Sequence, residues 1–121
     1  MKVIRSSESE AVPLQPEWFT GDGTRRDVTR IDSPDAGITV VSFEPGGRTN
    51  WHSHSDGQVL FVLTGNGKTA TRTEPETEIG VGDVIYASPG EQHWHGAATG
   101  EPMSHVALSF GQTDWLEPVE E

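Results

Sequence analysis

Fourteen glycines and eight prolines are scattered along all 121 residues, and between them lie only short runs rich in Val, Ile, Thr, Phe and Leu. Such runs favour strands, and Gly and Pro favour the turns that separate them. Strand-like runs fall near 25–31, 37–44, 48–53, 58–64, 67–73, 83–87, 93–98 and 103–110, with SPDAG, EPGG, TGNG, VGD, SPGE and TGEP as turns. The GNG at 65–67 has the form of a tight hairpin. Helical periodicity never outlasts a turn or two, although TDWLEPVEE near the C-terminus is compatible with a short helix. Eight strands at this spacing predict an all-β fold, a closed barrel or jelly roll. The length suits a single domain over 1–121, with a barrel core at about 24–111, an N-terminal arm 1–23 and a short tail 112–121. Trp18 and Phe19 in the arm are large enough that they are expected to pack on the core.

Nineteen acidic against eight basic residues give a formal charge of −11. That charge repels nucleic acid and anionic membranes, so neither is expected as a partner. No apolar run reaches the ~18 residues of a membrane span, and MKVIRSSESE lacks a secretory apolar segment, so the expected location is the cytoplasm. Without cysteine there is no disulfide and no thiolate metal site; any metal must be held by nitrogen and oxygen.

Four of the five histidines sit in two short stretches, HSHSDGQ at 52–58 and HWHG at 93–96. Side chains in a strand alternate, so His52 and His54 share one face, and so do His93 and His95. Four imidazoles inside a barrel each need partners for two ring nitrogens, and one metal ion serves several of them at once. His105 follows in MSHVALSF; if it faces inward with Ala107 and Ser109, it lines the same cavity.

The stretch GGRTNWHSHSDGQVLFVLTG (46–65) resembles the first cupin motif, with Gly46, His52, His54, Gln58 and Gly65 in its fixed positions. GDVIYASPGEQHWHGA (82–97) resembles the second, with Gly82, Gly90 and His93. The resemblance implies a cupin jelly-roll β-barrel, a double-stranded β-helix, with a divalent metal held by His52, His54, Gln58 and His93. Gln58 stands where the motif usually has glutamate, Ser88 where it has proline, and Ala97 where it has asparagine. The glutamine matters most. An amide oxygen leaves the ion its full formal charge, which strengthens a Lewis acid and disfavours a trivalent state.

WFTG (18–21), VSFEPGGRTNWHSHSDGQ (41–58), GDVIYASPGEQHWHGAA (82–98), MSHVAL (103–108) and the DW at 114–115 are similar to bacterial cupin-type, manganese-dependent hydroxynitrile lyases. That resemblance implies manganese, although the ligand types equally suit Fe, Co, Ni or Zn. It also implies His95 as the base, and His105 as a second catalytic-site histidine. The expected activity is a non-redox lyase reaction on a cyanohydrin or related small hydroxy or carbonyl compound. Alternatives are a metal-dependent dioxygenase or isomerase, and a non-catalytic cupin that binds a small ligand. Val40, Ser42, Leu60, Val62 and Trp94 or Phe110 are expected to shape the substrate pocket. QVLFVLTG is apolar on both faces, so its outer face needs cover from the N-terminal segment or from a second subunit, and the resemblance implies a homodimer.

Overall fold

The structure is a computed structural model that describes residues 1–120. A single 3₁₀ turn at Ser6–Glu8 precedes the strands. These are β1 (Val12–Pro13), β2 (Phe19–Thr20), β3 (Gly23–Asp32), β4 (Asp35–Phe43), β5 (Arg48–Thr49), β6 (His52–His54), β7 (Gln58–Thr71), β8 (Thr77–Gly80), β9 (Val84–Ala87), β10 (His93–Ala97), β11 (Met103–Phe110) and β12 (Thr113–Trp115). All pairings are antiparallel. One sheet runs β1-β3-β4-β11-β7, with β9 on the far side of β7. The other is built on β7, β10, β5 and β2, with β8 beside β7 and with β6 and β12 beyond β10. Together they curl into the expected jelly-roll barrel.

β7 belongs to both sheets. Its first half pairs with β11 and β9, and its second half, from Asn66, pairs with β8 and β10. The GNG at 65–67 is therefore not a hairpin but the bend at which one long strand crosses between sheets. Gly65 has φ +75°, and a Cβ there would lie 1.9 Å from the Pro102 carbonyl oxygen. A Cβ on Gly67 would lie 2.3 Å from the Gly96 carbonyl. The two glycines thus serve a close approach of neighbouring strands, as happens at barrel corners.

Three other expectations change. The run 48–53 is broken into β5 and β6, with Asn50 and Trp51 between them. Thr77–Gly80 forms β8, which its acidic context hid. The C-terminal segment is not helical: Thr113–Trp115 pairs with His52–His54, and the Leu116 and Trp51 amides donate to the Trp51 and Glu117 carbonyls. Strand pairing gives these amides partners, and Pro118 would have cut any helix short.

Leu14, Val41, Phe43, Val62, Ile79, Ala97 and Met103 form the core. Phe43 links core to site, with its ring centroid 6.1 Å from that of His95 and 5.6 Å from that of His105. Trp18 and Phe19 pack as expected: Trp18 stacks on Trp115 at 5.4 Å, and Phe19 meets both Phe43 and Trp115.

Candidate metal centre

Alternation on two short strands brings the histidines together. His52 and His54 point inward from β6, His93 and His95 point inward from β10, and His93 lies directly opposite His52. His105 comes from β11 and Gln58 from the start of β7, where it pairs with Ser109. All six side chains are buried.

The His52 ring centroid lies 4.3 Å from that of His93, 5.1 Å from His54 and 5.2 Å from His95. Those of His54 and His93 are 5.7 Å apart. Gln58 Oε1 sits 2.9 Å from His93 Nε2. The tightest set of ring nitrogens is His52, His93 and His95, all within 4.8 Å of one another. The fold thus draws His95 close to the ligand group that the sequence reading separates it from. His54 stands at the edge of the same cluster beside Gln58.

The hydrogen bonds distinguish these imidazoles. His52 Nδ1 donates to the Asn50 carbonyl and His93 Nδ1 to the Glu91 carbonyl, each at 2.9 Å, and His54 Nδ1 meets Thr113 Oγ1 at 3.0 Å. Each ring is anchored at Nδ1 by an oxygen, which frees Nε2 as a lone-pair donor, the usual arrangement of metal-bound histidine. His95 differs, because its Nδ1 meets His105 Nε2 at 3.0 Å.

These donors fit a cation. His54 Nε2 and His95 Nε2 are buried without a hydrogen-bond partner. His93 has a carbonyl oxygen at each ring nitrogen, and a neutral imidazole has a proton for only one of them. Ser109 Oγ accepts from Gln58 Nε2 at 2.9 Å and so turns Oε1 toward the histidines. Two ligand atoms bound at right angles to one ion at about 2.1 Å would be about 3 Å apart. The 2.9 Å between His93 Nε2 and Gln58 Oε1 matches that separation.

The Cupin domain family matches residues 39–109, which include every histidine and Gln58. The chain belongs to this family. An (R)-mandelonitrile lyase from Granulicella tundricola is 42% identical over 98% of this chain and 95% of its own. A crystal structure of a cupin-like protein from Thermotoga maritima superposes with a TM-score of 0.85 at 35% identity, over 90% of this chain and 86% of that one. An acetylacetone dioxygenase from Acinetobacter johnsonii shares the fold, with a TM-score of 0.79 at 15% identity over 97% and 78% of the two chains.

Burial keeps all five imidazoles of this cupin below the usual histidine range. Desolvation is the largest cause throughout. It takes His54 to about 4, helped by His93, and His105 to about 4 against the pull of its own carbonyl. His95 and His52 are pushed well down by burial and then by neighbouring imidazoles, and His93 is lowered despite Glu91. Below the ordinary value of 6.5 the unfolded chain therefore takes up protons that the folded chain refuses. Folding stability must fall as pH drops from about 6.5 toward 4. By pH 5 His54 and His105 should each cost roughly 2 kcal/mol. Thermal melts of metal-free protein at pH 7 and pH 5 check this; equal melting temperatures would contradict it.

The roof comes from both ends of the chain. Trp18, Phe19 and Trp115 line a cavity of about 190 Å³ with His52, His54, Gln58, His95 and His105. Sites for drug-sized ligands run from about 300 Å³ upward, so this one suits a compound of a single ring or a short chain. Asn50 ties the roof to the histidines: its Nδ2 donates to the Glu17 and Leu116 carbonyls, and its own carbonyl accepts from His52. The sequence reading missed Asn50, whose one visible signal was its place two residues before His52.

The expected pocket residues need correction. Val41 pairs with His105, which puts Thr39 and Val41 on the cavity wall and turns Val40 and Ser42 outward. Leu60 and Val62 are buried in the packed interior without lining the cavity. Trp94 faces away from the histidines under Arg48, and Phe110 does not reach the cavity either. His105, Ala107 and Ser109 do share the inward face.

Proposed function

We propose that this cupin is a metal-dependent, non-redox lyase that cleaves a cyanohydrin or a related small hydroxy or carbonyl compound. The observation that carries the reading is the His95–His105 pair, which ends in an unpartnered ring nitrogen beside the three anchored histidines. The activity named for the relative that shares 42% of its residues supports the same class.

His52, His54, Gln58 and His93 would hold the divalent ion, manganese by resemblance to the lyase group. When bound, the ion supplies Lewis acidity toward a hydroxyl oxygen without changing oxidation state. His95 Nε2 takes the hydroxyl proton. The C–C bond to the nitrile carbon breaks, its electron pair leaves as cyanide, and the C–O bond becomes a carbonyl. The proton on His95 then passes to cyanide. His105 Nδ1 has no well-aligned partner, but its own carbonyl lies close enough to favour a proton there. His105 Nε2 is then the acceptor and His95 Nδ1 the donor, the tautomer that leaves the other nitrogen of His95 basic. Trp18, Phe19 and Trp115 keep water from the reacting centre.

The test is cyanide release from mandelonitrile by metal-loaded protein, under nitrogen and under air. Equal rates are expected, because nothing in the reaction consumes oxygen. Turnover only in air would make the protein an oxygenase, and none in either gas would remove the lyase reading.

The acting form is a homodimer. Phe61 and Leu63 on β7, Val84 and Tyr86 on β9, and Val81 are exposed on the outer face, Val84 and Tyr86 at 62% each. Phe61 pairs with Val84 and Val59 with Tyr86, so the apolar surface is continuous. Light scattering behind a sizing column should give twice the chain mass, and F61E should shift it to one chain mass. A monomeric wild type would refute this.

A further inference from the structure

Arg25 is the one Lys or Arg among the residues that line the cavity, in a chain whose formal charge is −11. Its place in the wall is fixed by register. Arg25 on β3 pairs with Val41 on β4, and Val41 pairs with His105 on β11, so the three stand in one inward-facing row. Adjacent strands are about 4.8 Å apart, which puts the Arg25 backbone about 10 Å from that of His105. Both side chains project from that row into the one cavity.

The guanidinium is only partly engaged. Nη1 donates to Gln15 Oε1, an uncharged acceptor. Nε reaches Asp27 Oδ2 at 3.3 Å, a long contact to a carboxylate that is 66% exposed, while Arg25 itself is 26% exposed. Nη2 has no partner among the described residues. An arginine in this state can offer a fork of two parallel donors to a planar anion. Among the side chains that line the cavity, Arg25 alone is a permanent cation.

We infer that Arg25 recognises a carboxylate on the substrate, at the end opposite the reacting hydroxyl. The substrate class is then a small cyanohydrin or related hydroxy or carbonyl compound that carries a remote carboxylate. Asp27 holds the guanidinium through Nε and yields it to the incoming anion. The inference rests on the proposed function in one respect, that the histidine cluster is the reacting end.

Calorimetric titration of metal-loaded protein with benzyl alcohol and with 4-(hydroxymethyl)benzoate tests this without turnover. The two probes differ only in the carboxylate. A charge-assisted bond worth about 1.5–3 kcal/mol corresponds to roughly 10- to 150-fold in affinity. Wild type should prefer the benzoate by at least about tenfold. R25Q should abolish that preference and leave benzyl alcohol binding within about twofold. D27N, which removes the competing carboxylate, should tighten benzoate binding and keeps the test decisive if R25Q fails to fold. Equal binding of the two probes by wild type, an equal loss of both in R25Q, or weaker benzoate binding in D27N would each overturn the inference. Failure of the lyase reading is seen separately: cyanide release is absent whatever the binding preference.

Discussion

His95→Ala keeps its metal and loses turnover by about 10²- to 10⁴-fold, the range expected when a positioned base is removed. The reason lies in what each ring touches. His52, His54 and His93 are each fixed at Nδ1 by an oxygen, whereas His95 is fixed by another imidazole. The truncation leaves His105 Nε2 without its partner, and a buried unpaired group costs about 1–3 kcal/mol. A drop in melting temperature should accompany the loss of activity without unfolding the protein. Elemental analysis and cyanide release, measured on one preparation, read both halves of the result. Turnover equal to wild type removes His95 from the chemistry. Loss of metal together with activity makes it a ligand with His52 and His93, the set whose nitrogens lie within 4.8 Å of one another.

His52→Ala strips the metal whichever third histidine completes the set, because His52 belongs to both. The expected loss of affinity exceeds the roughly 10–100-fold that follows removal of a ligand's hydrogen-bond partner. The variant should purify with no bound ion and no activity, and added manganese should restore neither at micromolar concentration. His52 also lies 4.7 Å from Trp115 and donates to Asn50, so its removal loosens the roof as well. Full occupancy of the variant by elemental analysis would show that the ion binds elsewhere.

Much of this site was readable from the chain because it depends on alternation. His-x-His on a strand puts two rings on one side whatever the strand pairs with, and Gln58 stands at a fixed motif distance from His54. The inward row His105, Ala107 and Ser109 could be read for the same reason. What escaped reading depends on which strands meet. The phase of β4 follows from the pairing of Val41 with His105, and alternation alone does not tell whether Val40 and Ser42 or Thr39 and Val41 face inward. GNG carries the same local signal whether it closes a hairpin or bends one strand between two sheets; the approach of Pro102 and Gly96 decides. TDWLEPVEE is compatible with a short helix by itself, yet the open edge of β6 beside the histidines takes Thr113–Trp115 as a strand. Arg25 has no motif around it, and only the row it shares with His105 brings it into the cavity.

A single carboxamide, that of Asn50, grips segments that lie far apart along the chain, at Glu17 and at Leu116, while its backbone steadies His52. Occupancy of the centre and closure of the two chain ends are therefore thermodynamically linked. An ion that favours one orientation of His52 also favours closure, and fraying of either end weakens hold on the ion by the same factor. Resistance of residues 1–20 and 112–120 to proteolysis should then rise with metal concentration, so that the termini act as a gauge of the centre.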